Sequence, residues 1–194
     1  MRRVERRLLS LLYRHSYKYS PDTPFHLSSG RESPHYIDVK ATLCEPEGLY
    51  LAGQIFYWRI KAIEEAEGIS VDAIGGIEIG ALHIAQAVTF YSYQHHDPIP
   101  WFYVRKKPKT YGLQKPIEGH VSPGGRVVIV DDVVTTGEST LTAIAAAKEA
   151  ALQIVKIVVL VDRLEGGTES LQATGLPYES IFSLKDFAAY QDTD

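Results

Sequence analysis

An α/β fold with a mostly parallel central sheet flanked by helices is predicted by three observations. Runs such as 71–74, 126–130 and 154–161 are apolar almost without interruption. Segments with apolar residues every three or four positions lie between runs of this kind. Short loops rich in Gly, Asp or Thr follow three of the runs, at 75–80, 131–139 and 162–167. A continuously apolar strand is buried on both faces, which a parallel sheet covered by helices provides. In such a sheet ligands bind beyond the carboxyl ends of the strands, where these three loops fall.

The elements follow in order. Val4, Leu8, Leu11 and Leu12 have helical spacing and predict an amphipathic first helix. Its basic start resembles a signal peptide, but the apolar stretch is short, Ser10, Tyr13 and Arg14 break it, and no small-residue cleavage site follows. Glu5 argues against a transit peptide. A polar turn is expected at Ser20 to Pro24 and a short strand at Tyr36 to Val39. Leu49, Ala52, Phe56, Ile60 and Ile63 mark a long helix that Gly68 stops. Val71 to Ile74 is a buried strand ending in Gly75 and Gly76, and a helix runs from about Ala81 to Tyr91. Trp101 to Val104 is a strand. Arg105 to Glu118 has no apolar periodicity and carries five basic residues and two prolines, so it is expected to be a mobile loop. Arg126 to Val130 is a strand, Glu138 to Ala151 a helix, Ile154 to Val161 a strand. A last strand near Ile181 to Leu184 and a short helix complete the chain.

The 194 residues suffice for one domain with a sizeable core. The net charge of -4 provides no general basic field, which disfavours nucleic-acid binding. A single cysteine, Cys44, excludes an internal disulfide and fits a reducing cytoplasm, where it serves as a small packing residue. No apolar run reaches the roughly 18 residues that span a bilayer.

The stretch 127–140, VVIVDDVVTTGEST, carries the clearest chemistry. An apolar strand delivers Asp131 and Asp132 to the sheet edge. The turn Thr135-Thr136-Gly137 follows, and a helix begins at Glu138. Amides of a turn at a helix N-terminus make an anion cradle, to which Thr135, Thr136, Ser139 and Thr140 add hydroxyls. Gly137 permits close backbone approach. Two carboxylates beside a phosphate need another purpose, and accepting hydrogen bonds from ribose 2′ and 3′ hydroxyls supplies one. The composite suits a sugar phosphate. The plainer alternative is a capped turn without a ligand. No Lys-Ser/Thr pair follows a glycine loop and no GxGxxG is present, which excludes Walker A and dinucleotide loops.

This stretch resembles the 5-phosphoribosyl-1-pyrophosphate motif of type I phosphoribosyltransferases. Residues 25–40, FHLSSGRESPHYIDVK, with ATLCEPEG after them, resemble the N-terminal signature of the orotate phosphoribosyltransferases. GGIEIGA at 75–81, RKKPKTYGLQKPIEG at 105–119 and DRLEGG at 162–167 are similar, in order, to that family's loop after the second core strand, its mobile catalytic loop and its orotate-contacting segment. The resemblance implies one phosphoribosyltransferase domain over 1–194, with 1–45 as a hood over the base site and 105–118 as the catalytic loop. It implies transfer of the phosphoribosyl group to orotate in pyrimidine (UMP) biosynthesis. Arg105, Lys106, Lys109 and Tyr111 are implied at the diphosphate as catalytic residues. Asp131, Asp132, Val133, Val134, Thr135, Thr136, Gly137, Glu138 and Ser139 are implied around the donor. Thr135, Arg163, Ser28, Phe25 and Tyr36 are implied around orotate. Magnesium is implied through pyrophosphate oxygens, with no direct protein ligand. The loop reaching the neighbouring subunit's site implies a homodimer. His26 and His83 are expected to be structural or surface residues.

The chemistry of these residue types agrees. Negative charge builds on departing pyrophosphate, so a basic loop stabilises the transition state more than the ground state. Its closure excludes water. A guanidinium such as Arg163 pairs bidentately with a carboxylate. A charge run is otherwise a solvated face, and an Arg after a strand is commonly exposed.

The loop departs from the family pattern R-K-x-x-K-D-H-G. Thr110 stands where Asp is common, and Tyr111 where His is common. A carboxylate shuttles a proton and a threonine does not. A phenol, with pKa about 10, donates only as a neutral group. Asp131 stands where Glu is common and Glu138 where Gly is common, so the Glu138 side chain must point to solvent. Turnover is therefore expected to be slow for such a loop. The double change Thr110→Asp, Tyr111→His is expected to raise kcat, with donor affinity held. An unchanged or lower kcat contradicts this. Two other readings remain open: a phosphoribosyltransferase for another base, and a catalytically weak donor-binding regulatory protein.

Overall fold

The computed structural model describes residues 1–26, 32–106 and 116–190. Helix α1 (Arg2–His15) buries Leu8, Leu11 and Leu12 as its spacing predicts. Strand β1 (Tyr17–Tyr19) pairs antiparallel with β4 (His35–Ile37). Strands β2 (Phe25–His26) and β3 (Glu32–Ser33) pair in the same sense. Helices α2 (Lys40–Leu43) and α3 (Pro46–Glu67) follow. Gly68 ends α3 with φ 64, a left-handed conformation that glycine adopts without steric cost.

The core sheet has the order β10-β9-β8-β5-β6-β7. Strand β5 (Ala73–Ile77), β6 (Trp101–Val104), β8 (Arg126–Val134), β9 (Gln153–Asp162) and β10 (Tyr178–Ser183) are parallel to their neighbours. Only β7 (Ile117–Gly119) runs antiparallel, against β6. Helix α4 (Gly80–Gln94) joins β5 to β6, α5 (Glu138–Glu149) joins β8 to β9, and α6 (Gly167–Gln172) joins β9 to β10. Helix α7 (Leu184–Ala189) closes the described chain with a Ser183–Asp186 capping box. The mostly parallel sheet flanked by helices is the predicted fold class. No helix among the described residues is long and apolar enough to cross a membrane.

The sheet separates two apolar layers. Ile74, Val128, Val130, Val158 and Leu160 pack with α1, α3 and α4. Ala73, Val127, Ile129, Ile157 and Val159 pack with α5 and α6. Alternate residues of β8 thus feed opposite layers, the period-two geometry of a strand.

Three expectations need correction. Strand β5 does not end at Gly75 and Gly76 but runs through them to Ile77. A Cβ on Gly75 would lie 2.3 Å from the Phe102 carbonyl oxygen, and one on Gly76 2.1 Å from that of Val130. These glycines allow close strand approach; they are not turn residues. Strand β8 does not stop at Val130, because pairing with β9 carries it to Val134. Residues 117–118 of the expected loop belong to β7, held by pairing of Val104 with Ile117. Residues 107–115 of that loop lie outside the described residues, as do Ser28, Lys109, Thr110 and Tyr111.

Candidate active site

The parallel strands end together, and each end carries polar residues. Strand β8 runs into the turn 135–137, where Gly137 caps α5 with φ 86. This left-handed residue aims the first amides of α5 outward. A cavity of about 360 Å³ opens here, lined by Asp131, Val133, Val134, Thr135, Thr136, Gly137, Glu138, Ser139 and Thr140. The Glu138 side chain is exposed, so it leaves the cradle to its amide. The lining contains eight of the nine residues expected around a sugar phosphate; Asp132 is the exception.

The two aspartates part company because they sit at consecutive positions of one strand. Asp131 continues the Val127–Ile129 side and faces α5. It is 3% exposed. Its Oδ2 accepts from Thr140 Oγ1 at 2.7 Å, and its Oδ1 accepts from the Asp132 amide at 3.0 Å. Burial, then the neighbouring Asp132 charge, pushes its pKa up to about 7. Asp132 lies on the other side, against Gly80 at the start of α4. The two carboxylates expected at the ribose thus differ: both oxygens of Asp131 accept hydrogen bonds within the protein.

Gly80 is required by this arrangement. A Cβ there would lie 2.2 Å from Asp132 Oδ1 and 2.6 Å from Cγ. Gly80→Ala must displace the Asp132 carboxylate. We expect donor affinity to fall about tenfold in calorimetric titration, with the melting temperature little changed. Unaltered affinity would place Asp132 outside the donor site. Lys40 also faces this side: its ion pair with Asp38 at 2.7 Å raises its pKa first, and the charges of Asp132 and Tyr36 act in the same direction.

The basic segment begins at the same end of the sheet. The Arg105 amide donates to the Pro116 carbonyl at 3.0 Å, and the Glu78 amide donates to that of Val104 at 2.9 Å. The Lys106 amide donates to Glu78 Oε1 at 2.9 Å. Arg105 Nη1 lies 3.7 Å from Glu118 Oε1. The Glu78–Ile79 peptide bond is cis. Arg105 and Lys106 are thus anchored beside the turn that leads to Gly80 and Asp132.

The third end holds Arg163. Its amide donates to the Val134 carbonyl at 3.0 Å, which places it next to Thr135. Arg163 is buried, at 6% exposure, unlike the exposed arginine that commonly follows a strand. Its Nη2 donates to the His35 carbonyl at 3.2 Å and lies 2.9 Å from Glu165 Oε1. Beside His35, Tyr36 packs its ring 5.4 Å from that of Phe25. Asp162 fixes the turn by accepting from the Leu164 amide at 2.7 Å, from Tyr178 Oη at 3.1 Å and from Thr168 Oγ1. Burial, with the charge of Asp162 in support, pushes Tyr178 up to about 12.

The structure therefore brings Arg105, Lys106, the 131–139 stretch, Arg163, Phe25 and Tyr36 to one end of the sheet. Sequence reasoning placed Glu78, Gly80, Lys40, His35 and Glu165 inside its signature segments but gave none of them an individual role. The acid two residues after Arg163 was visible in DRLEGG, but its ion pair was not.

Comparison with known proteins agrees with the geometry. Residues 46–174 match the phosphoribosyl transferase domain family. The chain is 40% identical over 180 residues to an orotate phosphoribosyltransferase of Aquifex aeolicus, covering 93% of this chain and 95% of that protein. It is 40% identical over 165 residues to that of Rhodopseudomonas palustris, covering 83% and 85%. Among solved structures, the Mycobacterium tuberculosis orotate phosphoribosyltransferase in complex with 5-phospho-alpha-D-ribosyl 1-diphosphate superposes with a TM-score of 0.72 at 31% identity, covering 95% of this chain and 99% of that one. The enzyme from Aeropyrum pernix superposes with a TM-score of 0.71 at 29% identity, covering 93% and 96%. At this identity and coverage, this chain belongs to the orotate phosphoribosyltransferases.

Proposed function

We propose that the chain transfers the 5-phosphoribosyl group from 5-phosphoribosyl-1-pyrophosphate to orotate, giving orotidine 5′-monophosphate and pyrophosphate in the de novo route to UMP. One observation carries this reading: the anion cradle at 135–139 and the buried guanidinium of Arg163 end adjacent strands. The cradle holds the 5′-phosphate on the amides of the turn and of α5. Asp132 accepts from a ribose hydroxyl, and Asp131 stiffens the strand end through Thr140 and the Asp132 amide. Arg163 pairs with the orotate carboxylate, and Thr135, Phe25, Tyr36 and Ser28 complete the base pocket under a hood formed by 1–45. A ring nitrogen of orotate then gives up its proton, to solvent or to the departing pyrophosphate, and bonds to C1 of ribose as the bond from C1 to the pyrophosphate oxygen breaks. Arg105, Lys106, Lys109 and Tyr111 stabilise the charge that accumulates on the departing oxygens. The 105–116 segment excludes water during transfer.

Among the described residues no cluster of three or more His, Cys, Asp or Glu is placed to hold a metal ion. Magnesium is proposed as an ion carried by pyrophosphate oxygens, a role that needs no direct protein ligand. When bound it neutralises the leaving group. A homodimer is proposed, as the resemblance implies, and the exposed aromatics Tyr50 and Trp58 on α3 and Phe90 and Tyr93 on α4 are available to a second copy. The lone cysteine supports a cytoplasmic location.

Loss of orotate absorbance with donor and magnesium present tests the assignment. Turnover supports it. Donor binding without turnover of any base favours a regulatory protein, and turnover of another base alone moves the acceptor.

A further inference from the structure

The base-site guanidinium is already paired with a carboxylate of its own chain. Arg163 and Glu165 are two residues apart, and Leu164 between them has φ 58, a left-handed conformation that folds Glu165 back onto Arg163. A non-glycine residue there is strained, and such residues persist where surrounding structure holds them. Here the Asp162 carboxylate holds the Leu164 amide at 2.7 Å. The resulting pair is well buried, at 6% and 16% side-chain exposure, yet incompletely satisfied. Arg163 Nε and Glu165 Oε2 are buried and have no hydrogen-bond partner among the described residues. Buried polar atoms without partners are costly, so a ligand that supplies them is favoured. A planar base bearing a carboxylate does so for Arg163, because it presents two acceptor oxygens to a forked donor.

We propose that Glu165 is a positioning residue that latches Arg163 in the absence of base and is displaced by the carboxylate of orotate. This rests on Arg163 being the orotate-binding residue. The latch also screens the base. A neutral pyrimidine cannot replace Glu165, because it offers no negative charge to compensate the cation it would uncover. An acidic base exchanges one carboxylate for another. The His35 carbonyl, 3.2 Å from Arg163 Nη2, keeps the guanidinium in place during the exchange.

Three variants and one structure test this. In Glu165→Gln the competing charge is gone and the shape is kept, so the orotate KM falls about tenfold while kcat changes little. Discrimination against uracil weakens in parallel. Glu165→Asp retains the charge and keeps KM nearer to the wild-type value. A merely structural role predicts the opposite, with KM raised and kcat lowered in both. An orotate KM in Glu165→Gln that is unchanged or raised overturns the latch. Arg163→Ala serves as the separate control. If it raises the orotate KM while Glu165→Gln does not lower it, the base-site reading stands and the latch alone fails. If Arg163→Ala leaves KM unchanged, the base-site reading fails and takes the latch with it. Should Glu165→Gln not fold, a wild-type structure with orotate bound decides. Glu165 withdrawn from Arg163 supports the latch, and the 2.9 Å contact retained overturns it.

Discussion

Arg163→Ala raises the orotate KM by roughly 30-fold to 4000-fold and leaves donor affinity within about twofold. The range follows from truncating one partner of a buried, hydrogen-bonded charge pair, which costs about 2–5 kcal/mol, with about 1.4 kcal/mol for each factor of ten. Two features of the structure make the effect specific to the base. The guanidinium contacts the His35 carbonyl and Glu165. Its backbone amide, which donates to the Val134 carbonyl, survives the substitution. Stability falls as well, because Glu165 is left buried without its cation. Steady-state kinetics on the folded fraction and a separate donor titration distinguish the two effects. Arg163→Lys restores the charge without the fork and recovers only part of the loss. An equal decline in donor and orotate affinity would instead place Arg163 in the general support of the sheet end.

The strands and the donor cradle were legible because their causes are local. Apolar runs of strand length between helical periodicities specify a parallel sheet, and two acids followed by TTG and hydroxyls at a helix start point to an anion site, which TTG alone does not. Trp101–Val104 is found where the sequence places it. The end of β8 was not legible, because Asp131 to Val134 join the ladder only through pairing with β9, a contact distant in sequence. Gly75 and Gly76 suggested a turn for the same reason: what demands a missing Cβ is the carbonyls of Phe102 and Val130. The pairing of Arg163 with Glu165 depended on a left-handed leucine, which no propensity favours. The division of Asp131 from Asp132 was legible in principle. Strand periodicity from Val127 onward puts them on opposite faces, but that argument requires the strand to continue past Val130.

That division has a consequence for pH. Asp131→Asn is expected to gain melting temperature relative to the wild type as pH rises from about 4 to 7, and to keep the gain above 7. The Asp131 carboxyl is pushed up to about 7 by burial and by Asp132, against an ordinary value of 3.8. Between those two values the folded protein holds a proton that the unfolded chain has released. Stability therefore falls as pH rises through this window, and the full cost is present above the folded-state value. Three pKa units correspond to roughly 4 kcal/mol. Asparagine removes the ionisation and keeps the shape. Its carbonyl accepts from the Asp132 amide, and its NH2 donates to Thr140 Oγ1, whose hydroxyl turns to receive it. The two melting curves are thus expected to converge near pH 4 and diverge toward pH 8. Donor affinity in the variant should become less dependent on pH over the same interval, since a second negative charge no longer appears beside the ribose. A wild-type stability that instead stays constant from pH 4 to 7 relative to Asp131→Asn would mean that Asp131 is ionised throughout, in the folded as in the unfolded chain. The carboxylate would then have to be compensated by the donor site, and its role would return to that of a ribose acceptor equal to Asp132.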